Sequence, residues 1–262
     1  MGYKLADDAK PQVALLILAT LITIALWFIP YADYLVYPIR LFVTFVHEGS
    51  HALIAVLTGG AVQSLTIASD GSGAVYSAPS GWFGAMLTSS AGYLGTTVFG
   101  VLLLLLIRRS VSPHKVLVGS GIFIGLMTVI FGILSPVFNF LSLNVAFSSV
   151  VFTVVSGLLL TAGLLAAGKF ASYRAANFAV AFLAIQCLLN SLSDLKTLFF
   201  INAPLVGSDL ANDAKNMADA TGLPGIVWVF LWIIISVVMI SVGLRIFAVA
   251  KGRPSADTPF ED

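Results

Sequence analysis

Seven long apolar blocks, at about 11–30, 38–58, 82–107, 115–136, 146–168, 175–200 and 225–246, leave this chain few ways to fold. Each approaches or exceeds the roughly 20 mostly apolar residues that cross a hydrocarbon core. Their strings mix Leu, Ile, Val, Phe, Ala and Gly, without the alternating ten-residue segments of an outer-membrane barrel. Helices are therefore expected, because a helix satisfies its backbone N–H and C=O groups internally where no water is present. With 59% hydrophobic and 10% charged residues, the 262-residue chain would not dissolve as a globule. The expected class is an all-α polytopic membrane protein, multi-pass and integral to the bilayer, with about seven transmembrane helices.

The longest polar stretches, about 60–81, 201–224 and 251–262, are too short to hold a soluble domain. Residues 1–262 accordingly read as a single membrane domain, with a disordered tail from Lys251 to Asp262. A net charge of +1 and the lack of a basic patch interleaved with aromatics give a nucleic-acid role no support. The single cysteine, Cys187, sits in an apolar block and reads as a buried structural thiol. The first block is longer than a signal-peptide core and no small-x-small cleavage pattern follows it, so a retained anchor is expected.

One polar stretch departs from the helical pattern. From Gly59 to Tyr76, β-prone residues alternate on both sides of an Asp70-Gly71-Ser72-Gly73 turn, which predicts a β-hairpin. A hairpin at membrane depth must have its edges paired or line a wet cavity, so it is expected beside an aqueous site. The alternative is an extramembrane loop without a role.

Two of the chain's three histidines and one of its two glutamates fall within His47-Glu48-Gly49-Ser50-His51. On a helix, the i, i+4 spacing puts His47 and His51 on one face with Cβ atoms roughly 5–6 Å apart, which suits two imidazole nitrogens on one zinc ion. Glu48 then lies beside the metal without ligating it, placed to take a proton from an attacking water and pass it to a leaving amine. These residues could instead be tied up in helix packing. That alternative is costly, because an ionisable side chain at the bilayer centre costs at least about 2.5–3.5 kcal/mol on insertion scales.

Catalytic zinc usually has three protein ligands, so a third is sought among His114, Asp33, Asp70 and Asp194. His114 lies in a basic turn, and Asp33 and Asp70 fall in interhelical or turn segments. Asp194 lies inside an apolar block, one helical turn after Asn190, so both side chains could face the metal pocket, and Asp194 is the expected third ligand with Asn190 in support. Pairing of Asp194 with Lys196 or with a backbone group at a helix end is the alternative. One zinc per chain is expected.

These residues resemble the site-2 proteases, zinc metalloproteases that work inside membranes. The resemblance covers the HExxH helix, the Gly59–Ser80 region, Ser89-Ser90-Ala91-Gly92-Tyr93-Leu94-Gly95, and the helix from Asn190 to Asp194. It implies a membrane-inserted hairpin after the HExxH helix and an aspartate ligand from a later helix. Ser208–Ala211 and Ala220–Trp228 resemble a compact branch without PDZ domains. In the family the aspartate commonly sits in Leu-Asp-Gly after an Asn and Pro run, whereas Leu195 follows Asp194 here. Tyr93 stands where an Ala-Gly-Pro pattern would place proline.

The leading expectation is an intramembrane zinc endopeptidase acting on transmembrane or membrane-associated proteins, with the hairpin at Asp70, Gly71, Ser72 and Gly73 holding an extended substrate by strand addition. A non-catalytic zinc-holding scaffold is the alternative, although it has no need of Glu48. An ion transporter would relay charge through intramembrane His and Asp, but the sequence shows no repeats and few such charges. With seven spans, Arg40, Arg108, Arg109, Lys115, Lys169, Arg174, Arg245, Lys251 and Arg253 collect on one face and Lys4, Lys10 and Lys215 on the other. The positive-inside rule then puts the C-terminus in the cytoplasm; the family resemblance implies the reverse.

Overall fold

A computed structural model of the protein describes residues 10–26, 28–140, 145–202 and 212–248. In chain order the elements are α1 (Lys10–Leu26), α2 (Ala32–Leu57), β1 (Ala61–Ile67), β2 (Gly73–Ala78), α3 (Gly81–Arg108), α4 (Pro113–Met127), a π-helical stretch (Thr128–Leu134), α5 (Ser135–Phe138), α6 (Phe147–Phe170), α7 (Tyr173–Asn202), α8 (Asp213–Thr221) and α9 (Gly225–Ala248). All seven expected blocks are helical. Among the described residues six helices are long and apolar enough to cross a membrane: α2, α3, the continuous Pro113–Phe138 unit, α6, α7 and α9. The seventh, α1, is apolar but has 17 residues. Asp33 belongs to α2 rather than to an interhelical segment. The tail from Lys251 and the Ser208–Ala211 stretch lie outside the described residues, as do Lys4, Lys251 and Arg253 in the expected charge bias.

Helices α2, α3 and α7 form the centre of the bundle. Lipid tails are as apolar as leucine, so what holds such helices together is close packing and hydrogen bonding between them. A buried hydroxyl cluster does this where α3, α7 and α9 meet: Thr97 Oγ1 lies 2.7 Å from Ser191 Oγ and 3.2 Å from Ser236 Oγ. On the outside, Leu158 and Leu159 of α6 and Ile234 and Val238 of α9 are exposed, as a surface bathed in lipid requires. Cys187 is buried, as its apolar context predicts.

The hairpin forms where the alternation predicts it, as an antiparallel pair with an irregularity between Val62 and Ser64. It folds back along α2. The N–H of Gly60 donates to Ala55 O at 2.8 Å, and at the other end Tyr37 donates to Ser69 O at 2.6 Å and Thr44 to Gly71 O at 2.9 Å. A seven-residue strand spans about 23 Å, close to the roughly 20 Å between Thr44 and Leu57 on a helix. The hairpin therefore runs alongside much of α2, one of the helices long and apolar enough to cross a membrane. At its turn Asp70 Oδ1 accepts the Ser72 hydroxyl at 2.6 Å and the Ser72 N–H at 2.9 Å. These bonds hold the Asp70 carboxyl below the usual carboxylate range. Gly71 takes a φ of 84°, which favours glycine.

The two edges of the hairpin differ. On the β1 side, Thr153 of α6 accepts the Ile67 N–H at 2.6 Å, and Leu65 and Ile67 are fully buried. The β2 side lines a cavity that also contains His47 and Glu48.

Helix α8 was not expected. It lies in the polar stretch 201–224, and packs against α3 and α9.

Candidate metal centre

Helix α2 places His47 and His51 one turn apart with their Nε2 atoms 3.1 Å from each other. The third partner comes from α8. Asp213 Oδ2 lies 3.3 Å from His51 Nε2 and 3.6 Å from His47 Nε2. One ligand atom from each of the three residues lies within 4.8 Å of the others.

Local sequence explains how Asp213 arrives there. The Asn212 side chain caps α8 by accepting the Lys215 N–H at 2.9 Å, which makes Asp213 the first helical residue, where the helix dipole favours a carboxylate. At the other end Gly222 takes a left-handed conformation, with φ 73°, and Pro224 follows.

The imidazole of His51 is oriented from behind. Its Nδ1 lies 2.6 Å from the backbone oxygen of Thr88, and a carbonyl can only accept. Nδ1 therefore carries the proton and Nε2 presents its lone pair to His47 and Asp213, an arrangement common behind metal-binding histidines.

Two observations test whether this set fits a metal. A tetrahedral ion with bonds of roughly 2.0–2.2 Å requires donors about 3.3–3.5 Å apart, and two imidazoles with one carboxylate are a common catalytic zinc set. The observed separations of 3.1, 3.3 and 3.6 Å bracket that spacing. The second observation is Gly92 of α3. A Cβ there would overlap the Nε2 atoms of both His47 and His51, so the helix can face the donor atoms only because it carries no side chain at this position. The set fits.

Glu48 is buried and stands outside the three-donor group. The strand passes closely beside it at Gly73, where a Cβ would lie 2.6 Å from Glu48 Cγ and 2.7 Å from Oε1. Two cavities meet at Glu48. One, of about 750 Å³, is walled by β2 from Gly73 to Ser77, by Thr88 and Ser89 of α3, and by Asp213, Asn216 and Asp219 of α8. The other, of about 340 Å³, is walled by Arg40, the Gly71–Gly73 turn, Asn190, Asp194 and Thr197. His47, Glu48, Gly73, Tyr93 and Asn212 line both.

The donor group takes Asp213 where sequence reasoning placed Asp194. Asp194 lies on the wall of the smaller cavity, in the same lining as His47 but outside the group of three. The short helix α8, packed on α3 and α9, carries its own carboxylate into the gap between the imidazoles. Asn190 donates to Gln186 O at 2.9 Å and lines the same cavity as Asp194. His114 lies apart from the site, with Nε2 3.0 Å from Ala171 O.

Fold and site together define a polytopic membrane protein whose bundle encloses a His-His-Asp cluster with the spacing to hold a metal, beside a glutamate. The chain matches the Peptidase M50B-like family over residues 16–243 and belongs to it, which makes it a member of the site-2 protease family. At family level it is a site-2-protease-type intramembrane metalloprotease, a family set in lipid whose substrates are membrane proteins. No curated protein and no solved structure matches the chain.

Proposed function

We propose that this protein is a zinc-dependent intramembrane endopeptidase in which His47, His51 and Asp213 hold one zinc ion and Glu48 is the general base. What carries the reading is the convergence of three donor atoms within 4.8 Å of one another next to a glutamate that is not one of them. Bound zinc supplies a Lewis acid that acidifies an attacking water and polarises the scissile carbonyl. Glu48 accepts a proton from that water and returns it to the leaving amine, so one peptide bond and one water become a carboxylate and an amine. Thr88 holds His51 in the tautomer that keeps Nε2 free to ligate. Gly92 leaves space for the ion.

Substrate handling falls to β2. A membrane-spanning helix hides its carbonyls in its own hydrogen bonds, so a stretch must unwind before it can be cut. The β2 edge beside Glu48 offers such a stretch backbone partners in strand addition, while the β1 edge is occupied by Thr153. The Asp70-Gly71-Ser72-Gly73 turn fixes how β2 leaves the hairpin. Replacing Gly71 by Pro is expected to lower cleavage of a transmembrane substrate several-fold and leave zinc content unchanged. Both are measured on the same preparation, and equal loss of the two would make the hairpin a structural prop.

Gly92→Val gives a test of the metal position that needs no catalysis. The added side chain occupies the space in front of both Nε2 atoms, so zinc content is expected to fall from about one per chain to near zero. Zinc retained at the native level would place the ion elsewhere.

A further inference from the structure

Helix α3 meets the cluster with two consecutive residues: Gly92, which makes room, and Tyr93, whose side chain the proposed mechanism leaves without a role. Tyr93 is buried and lines both cavities that meet at Glu48. Its ring is clamped, stacked on Trp232 with centroids 5.6 Å apart and met edge-on by His47 at 4.8 Å. Trp232 is itself fixed by donation from its Nε1 to Ser90 Oγ at 3.0 Å. The backbone is held too, since the Tyr93 carbonyl accepts Ser191 Oγ at 3.1 Å and Thr97 Oγ1 at 2.9 Å. A ring held by Trp232 and His47 keeps its hydroxyl in one place, and Tyr93 lines the same cavity as Asp213, His47 and His51.

Asp213 needs such a partner more than the histidines do. His47 and His51 share one helix, and Thr88 orients His51. Asp213 begins a separate nine-residue helix, and its carboxylate can turn about its own side-chain bond. We propose that Tyr93 is a positioning residue for the metal centre: its phenol O–H donates to the Asp213 carboxylate and holds the third donor toward His47 and His51. The proposal rests on the zinc reading above. A ligating carboxylate is commonly oriented by a hydrogen bond of this kind, and losing such a partner typically costs about 10–100-fold in metal affinity or activity.

Tyr93→Phe removes the hydroxyl and keeps the ring between Trp232 and His47. Trp228→Phe is the matched control. It deletes a 3.0 Å hydrogen bond from α9 to Thr221 of α8 without touching the cluster. Zinc affinity is measured on purified full-length protein in lipid nanodiscs by competition with a chelator, and the visible spectrum is recorded after cobalt substitution. The expected result is zinc binding about 10–100-fold weaker in Tyr93→Phe, with a shifted cobalt spectrum, and native values in Trp228→Phe. Native affinity and spectrum in Tyr93→Phe would overturn the proposal, as would equal weakening in both variants, which would trace the effect to looser packing of α8. His47→Ala, run alongside, separates the two levels: if it binds zinc as the native protein does, the zinc reading itself fails, whatever Tyr93→Phe does.

Discussion

Glu48→Gln is expected to bind zinc like the native protein and to cut a transmembrane substrate at least about 100-fold more slowly, within the 10²–10⁴ range of a lost general base. Glutamine is nearly isosteric with glutamate, so the close passage of β2 at Gly73 is preserved. What is lost is the ability to accept a proton. Glu48 is not among the three clustered donors, so its charge is not needed to hold the ion. The assay compares cleavage of a reconstituted membrane substrate with zinc content in one preparation. Undiminished cleavage would remove Glu48 from the mechanism, and loss of zinc together with cleavage would make it part of the metal site. Native protein that binds zinc and cuts nothing would favour a scaffold.

The second large effect separates two aspartates. Asp213→Ala is expected to lose zinc and, with it, all measurable cleavage, because two imidazoles alone hold zinc poorly. Asp194→Ala is expected to keep its zinc. Asp194 shares the smaller cavity with His47, Asn190 and Arg40, so its removal alters that wall and leaves the donor set whole. The contrast is informative because both residues are carboxylates near His47, and they differ in whether they reach the Nε2 atoms.

Most of this architecture was legible in the sequence, because the constraints that shaped it are local. The apolar blocks gave the helices, since nothing else satisfies a backbone in lipid. The alternation around Asp70-Gly71 gave the hairpin, since side chains on a strand repeat every two residues. His47 and His51, two of the three clustered side chains, follow from helical spacing alone. Asp213 was missed for a reason that is equally physical. Its partners lie more than 160 positions away, and only the packing of α8 on α3 and α9 brings it to them. Ranking carboxylates by how deeply they sit in an apolar block favoured Asp194, because burial in lipid calls for a purpose. A short helix tucked into the bundle gives a polar stretch the same burial without the apolar sequence. A local signal was nonetheless present: Asn212 as a cap before Asp213, with Gly222 and Pro224 at the far end, marks a helix start and stop. Tyr93 was noted only as a departure from the family's proline, and its place between Trp232 and His47 depends on contacts that spacing does not encode.

The central claim, that His47, His51 and Asp213 together hold the metal, is tested most directly by zinc content. It is measured by elemental analysis on the native protein and on His47→Ala, Asp213→Ala and Asp194→Ala, each purified without chelator. The account predicts about one zinc per chain in the native protein and in Asp194→Ala, and close to none in His47→Ala and Asp213→Ala. Native zinc in Asp213→Ala with zinc lost from Asp194→Ala would contradict it, and would return the third ligand to α7.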